Sequence, residues 1–128
     1  MNKLTPRQVV GAFGLTRVAI GIAFATMPRR LTATGSTADV LMTRTFAVRE
    51  VVLGVGGLLA ATNATSRPTD LRLWAALGAL TDGGDFCLAL AGSRDDSSST
   101  RLAALVAAAG LVCEAWALHA AGPNRRRA

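Results

Sequence analysis

Four apolar stretches of about twenty residues each carry ionisable side chains well inside them, and this constrains the fold more than any other feature of the chain. Arg17 lies in the first, Arg49 and Glu50 in the second, Asp82 and Asp85 in the third, and Glu114 in the fourth. A helix that crosses the hydrocarbon core of a bilayer needs roughly 20 mostly apolar residues. A charge at mid-bilayer costs at least ~2.5–3.5 kcal/mol on insertion scales, so such residues are rare, usually paired and turned inward. The pattern predicts an all-α, four-helix transmembrane bundle built around its own charges.

The spans are expected at about 8–27, 44–62, 71–91 and 101–121, within one integral membrane domain that takes up all 128 residues. Pro28 closes the first, and 31–43 reads as a Thr/Ser/Gly loop. Asn63 to Asp70 is a turn whose Pro68 suits the start of the next helix. Ser93 to Thr100 is a hydrophilic loop, and Gly122-Pro123 ends the last span ahead of a basic tail that runs to residue 128. Short connections between long helices imply antiparallel neighbours and up-down-up-down topology. A cleaved signal peptide is the competing reading of the first span, with Ala23-Phe24-Ala25 as the cleavage site, but Arg17 interrupts its apolar core. A soluble helical bundle would need a wide polar face on each helix. The stretch from Leu102 to Ala121 has only Glu114 and His119 as clearly polar residues.

The net charge of +6 comes from basic residues that flank the spans, with no stripe of interleaved aromatics, so nucleic-acid binding is disfavoured. Loop Lys and Arg orient membrane proteins instead. With the N-terminus inside, the cytoplasmic side holds seven of them (Lys3, Arg7, Arg67, Arg72 and Arg125 to Arg127). The other side holds five (Arg29, Arg30, Arg44, Arg94 and Arg101). Both ends are therefore expected in the cytoplasm, and the protein in the cell membrane of a bacterium. Cys87 and Cys113 read as buried free thiols rather than a redox pair. His119 is the only histidine and lies off the face of Glu114, so no metal site and no cofactor are expected. Gly54-Val55-Gly56-Gly57 lacks the strand context of a phosphate-binding loop. Trp74 and Trp116 suit an interfacial belt.

The ionisable residues lie on stripes of small residues with helical spacing. The stripes are Gly14, Arg17, Gly21, Ala25; Ala47, Glu50, Gly54, Gly57, Ala61; Ala75, Gly78, Asp82, Asp85, Ala89; and Ala103, Ala107, Gly110, Glu114, Ala117, Ala121. Small residues let helices approach closely in a bilayer, so these are the expected contact faces. Depth along the spans pairs Arg17 with Asp82 and Arg49 with Asp85, with Glu114 nearer the cytoplasm. Arg49 has a second option: it faces about 100° away from Glu50 and could snorkel outward. Asp82-Gly83-Gly84-Asp85 reads as close helix packing or, alternatively, as a local break in the helix. Two cations face four carboxylates, so one carboxylate is expected to hold a proton or meet a cation, with Asp85 the first choice.

With these residues in view, the chain resembles the small four-helix membrane proteins of the DoxX-like superfamily, particularly its bacterial families without an assigned activity. The similar features are Arg17 and Gly21 followed by Pro28, then the segment Arg44 to Gly54, then a span with embedded acids at Asp82 and Asp85. The resemblance implies the four-helix fold and the membrane location, and a link in some relatives to membrane oxidoreductase or quinone-related complexes. It assigns no catalytic residue.

Three functions follow from the residues. In the first, Arg17, Arg49, Glu50, Asp82, Asp85 and Glu114 bind or transport a proton, a cation or a small cationic or lipid-like ligand. In the second, the chain is an accessory subunit whose charges pair internally or with a partner's helices. In the third, it is an intramembrane isomerase with Asp82, Asp85 or Glu114 as acid and base. The lipid bilayer is the common partner, and a homo-oligomer or a membrane-protein partner fits the first two.

Overall fold

The computed structural model describes residues 4–31, 36–63, 65–92 and 98–121, and the described residues are all-α. Four long helices, α1 (Pro6–Thr26), α3 (Thr37–Thr62), α4 (Pro68–Gly92) and α5 (Ser98–Ala120), are joined by a one-turn helix, α2 (Pro28–Leu31). Local chemistry sets the starts. Thr5 caps α1 through a reciprocal capping box with Gln8, and Pro6 occupies the first turn, where its missing N–H costs nothing. The Ser36 hydroxyl accepts from the Asp39 N–H and starts α3. Pro68 opens α4, with the Asp70 carboxylate accepting from the Arg67 N–H at 2.9 Å.

The helices outrun the expected spans at their N-termini. Residues 37–43 were expected as loop but form the first two turns of α3, because the Ser36 cap precedes the apolar run Val40-Leu41-Met42. Ser98 to Thr100, expected as loop, already belongs to α5. The tail beyond residue 121 and residues 93–97 of the Ser93–Thr100 loop lie outside the described residues. Each long helix exceeds the ~20 residues needed to cross a bilayer. By apolarity as well as length, α1 and α3 meet that requirement. Asp70, Arg72, Asp82 and Asp85 dilute α4, and the apolar run of α5 is confined to Ala104–Ala120.

Antiparallel α1 and α3 form one close pair, antiparallel α4 and α5 a second, and the pairs meet along α3/α4 and α1/α5. Glycine brings the first pair together. A Cβ at Gly14 would sit 2.7 Å from the Gly54 carbonyl oxygen, and one at Gly54 would sit 2.6 Å from that of Gly14. At Gly21 it would meet the Ala47 carbonyl oxygen at 2.8 Å. These are backbone neighbours and no rotamer change can clear them, so the α1/α3 seam requires glycine. Phe24 and Phe46 close the far end edge-to-face, with ring centroids 5.1 Å apart.

Polarity in this fold is inverted. The buried apolar residues are mostly small: Ala47, Ala60, Ala75, Ala107 and Ala117, joined by Val10 and Leu71. Among the described residues, the buried charged ones are Arg17, Glu50, Asp82 and Glu114. Large apolar side chains lie outside on every long helix, among them Leu15, Val52, Leu80 (76% exposed), Leu88 (73% exposed) and Val112. A water-soluble protein of this size keeps its large apolar residues in and its charges out.

Candidate functional site

The small-residue stripes bring the ionisable residues to one place. Arg17, Glu50, Asp82 and Glu114 come from α1, α3, α4 and α5, one from each long helix, and all four are buried. Small neighbours one turn away on the same faces leave room for the charged side chains between the helices. Gly14 and Gly21 flank Arg17, and Ala47 and Gly54 flank Glu50; all four are buried.

Arg17 is the hub. Its Nη1 donates to Glu50 Oε2 at 2.7 Å, and its Nη2 donates to Asp82 Oδ1 at 2.8 Å and to Glu114 Oε1 at 3.0 Å. A guanidinium suits this task because it offers several donors from one rigid, permanently charged plane. Arg49 forms a second centre. Its Nη1 and Nη2 grip Asp85 Oδ1 and Oδ2 at 3.0 and 2.6 Å, a bidentate pair. Its Nη2 also donates to Glu50 Oε1 at 3.2 Å. Glu50 thus bridges the two arginines through its two oxygens. Arg49 does not snorkel outward. It folds inward with its guanidinium 4.7 Å from the centre of the Phe46 ring. The Arg49 and Asp85 side chains are about one-third exposed, so the network is buried around Arg17 and more exposed at Asp85.

All six expected residues therefore meet in one network, including the pairs Arg17–Asp82 and Arg49–Asp85. Two placements differ from expectation. Glu114, read as lying nearer one membrane face, also reaches Arg17. Glu50, grouped by depth with Asp85, spans both arginines. Helical depth counts Cα positions, whereas an arginine side chain reaches several ångströms along the helix axis.

Glycines shape the site in a way the sequence reading missed. A Cβ at Gly78 of α4 would fall on the Glu114 carboxylate of α5, and a Cβ at Gly110 of α5 would fall on Asp82 Oδ2 of α4. Each helix thus cradles the other's acid. The sequence signal was present: Gly78-x-x-x-Asp82 and Gly110-x-x-x-Glu114 share one spacing. In an antiparallel pair, that spacing sets each glycine opposite the partner's acid.

Other expectations need correction. Cys87 is exposed rather than buried, because it falls on the outer face of α4. Asp82-Gly83-Gly84-Asp85 does not break the helix: α4 runs through it, Asp82 and Gly83 face α5 at Gly110 and Leu111, and only Gly84 is open, with nothing within 4 Å of a Cβ built there. Trp74 turns inward, so that a Cβ on Gly56 would strike its ring, while Trp116 remains on the surface.

A cavity of about 20 Å³ adjoins the hub, with Arg17 and Glu114 at its polar end and Val10, Phe13, Leu53 and Trp74 among its apolar walls. That volume holds about one water. Among the described residues, the buried side-chain atoms without a hydrogen-bond partner are Arg49 Nε and Glu114 Oε2. A buried polar atom left unsatisfied costs ~1–3 kcal/mol and calls for an explanation. No family model, no curated protein and no solved structure matches this chain.

Proposed function

We propose that this chain is a multi-pass protein of the bacterial cell membrane, a four-helix bundle with up-down-up-down topology, whose central Arg/Asp/Glu network binds a proton. The location is supported by the inverted polarity, with large apolar side chains outside and Arg17, Glu50, Asp82 and Glu114 inside. In lipid that arrangement is the favourable one. Arg17, Gly21, Pro28 and the segment Arg44 to Gly54 support kinship with the DoxX-like proteins.

One observation carries the functional reading. Four carboxylates surround two guanidiniums, and three of the four converge on buried Arg17. With every group ionised, the cluster would hold two uncompensated negative charges in a low-dielectric interior. Such an excess is relieved by a bound proton or a bound cation. The adjoining cavity has room for about one water, which suits a proton better than an organic cation. The accessory-subunit reading draws on the open strip of α4 around Gly84, flanked by exposed Leu80 and Leu88.

Two measurements check the proposal. Topology reporters inserted at Thr65 should read as cytoplasmic and those at Ser98 as non-cytoplasmic; the opposite pattern, or two identical readings, would reverse or refute the arrangement. For the proton, a hydrophobic carbodiimide, which reacts with protonated carboxyls in apolar surroundings, should label the detergent-purified protein within its spans. Labelling should fall as pH rises. If no carboxylate of the spans is labelled across the stable pH range, the acids are fully ionised and paired, and the accessory-subunit reading takes the lead.

A further inference from the structure

Building on the proton-binding reading, we infer that Glu114 Oε2 is the atom that takes the proton, delivered through the cavity on the Trp74 side of the cluster. Two of the other carboxylates accept hydrogen bonds at both oxygens, and the third faces away from the cavity. Both oxygens of Asp85 accept from Arg49. Glu50 accepts from Arg49 at Oε1 and from Arg17 at Oε2. Asp82 accepts from Arg17 at Oδ1 alone, but its Oδ2 lies over Gly110, does not line the cavity and is not among the fully buried unpartnered atoms. Glu114 accepts at Oε1 alone, and its Oε2 is buried without a partner. The residue is 94% buried by its 6% exposure, and it forms part of the cavity wall.

The groups that face Glu114 come from every neighbouring helix: Arg17 from α1, Glu50 from α3 and Asp82 from α4. On α5 itself, the titratable neighbours are Cys113 and His119, the latter on the exposed surface. Two acids and one arginine thus surround it, so acids outnumber cations in its immediate surroundings. A metal cation does not fit the same place. Hard cations take about six or more oxygen ligands, while the cavity offers one free carboxylate oxygen beside a guanidinium and apolar walls. The step is a simple transfer. A hydronium in the cavity gives a proton to Glu114 Oε2, one O–H bond breaks as another forms, and a water remains to accept a hydrogen bond from the new carboxylic acid.

Chain order gives the direction of entry. The cavity residues precede Arg17 on α1, follow Glu50 on α3, precede Asp82 on α4 and include Ala117 after Glu114 on α5. All of these lie toward the end that holds the α1 N-terminus. The Arg49–Asp85 pair, about one-third exposed, lies on the other side of the hub. Glu114 is therefore loaded from the α1 N-terminal side, which is the cytoplasmic side in the proposed topology.

Infrared difference spectroscopy of the full chain in lipid, titrated through neutral pH, tests the assignment. The expected result is a protonated-carboxyl C=O band in the wild type. The band should be lost in Glu114→Gln and kept in Glu50→Gln, Asp82→Asn and Asp85→Asn. A band that survives Glu114→Gln and vanishes in one of the other variants would overturn the assignment and leave the proton-binding reading standing. A wild type without the band at any pH would overturn both. If Glu114→Gln does not fold, peptide mapping of the carbodiimide adduct on the wild type decides: an adduct on Glu114 supports the inference, and one on another acid overturns it. Gly57→Ala adds a methyl to the cavity wall at an ordinary 3.6 Å from Val10 Cγ1. It should slow hydrogen–deuterium exchange of the Glu114 carboxyl, and unchanged exchange would rule out this route.

Discussion

Arg17→Ala is expected to destabilise the protein more than any other single substitution. Removing one partner from a buried ion pair costs roughly 3–5 kcal/mol, because it strands the opposite charge. Here Asp82 and Glu114 would lose their only cationic partner, and Glu50 would keep Arg49 alone. The acids would face one another across the centre of the molecule without the guanidinium between them. Thermal unfolding in detergent, followed through Trp74 and Trp116, should show a large drop in midpoint or no cooperative transition at all. Arg17→Lys should fall in between, because an ammonium is a point charge and cannot hold three carboxylates in the planar geometry of the native site. Where Arg17→Ala still folds, combining it with Asp82→Ala should lose less than the sum of the single changes, with a coupling of ~0.5–3 kcal/mol for groups in direct contact. Strict additivity would mean that the 2.8 Å contact between them contributes nothing.

The second large effect needs no change to any charged residue. Gly78→Ala and Gly110→Ala each place a methyl where the partner helix keeps a carboxylate. Overpacking a tight interior costs typically ~1–3 kcal/mol. In this protein it would also push Glu114 or Asp82 away from Arg17, so the loss should sit at the top of that range or above it. A double-mutant cycle identifies the cause. In a Glu114→Ala background the side chain that blocks the new methyl is gone, and Gly78→Ala should then cost far less. Asp82→Ala should relieve Gly110→Ala in the same way. If each glycine substitution costs the same with and without its facing acid, the cradle has no energetic role.

Much of this arrangement is legible in the residues. Steps of three and four between small residues and Arg17, Glu50, Asp82 and Glu114 place each charge on a defined helix face, because a helix repeats every 3.6 residues. The excess of acid over base is also a property of the sequence. The helix starts were harder to read. Ser36 and Asp39 form a cap, but a polar stretch ahead of an apolar run reads equally well as loop, and α3 gained its first two turns unannounced. Trp74 reads as an interfacial aromatic only while its neighbour is unknown; the bare face of Gly56 on another helix is what lets the indole turn inward.

The sequence by itself determined the helices, the face each turns inward and the charges those faces carry, since these depend on residues within a turn or two of one another. The tertiary structure alone decided the register between helices. Register sets Gly78 opposite Glu114 and Gly110 opposite Asp82, lets Glu50 join two arginines, and leaves Glu114 Oε2 as the unengaged carboxylate oxygen beside a water-sized cavity. A shift of one turn would preserve every stripe, yet it would move each acid by about 5.4 Å, beyond hydrogen-bond reach of Arg17. Apart from the matched Gly-x-x-x-acid spacing of α4 and α5, local spacing carries no information about the offset between helices. It is set by the close backbone contact at Gly14 and Gly54 and by the reciprocal cradles, which exist only once the helices have met.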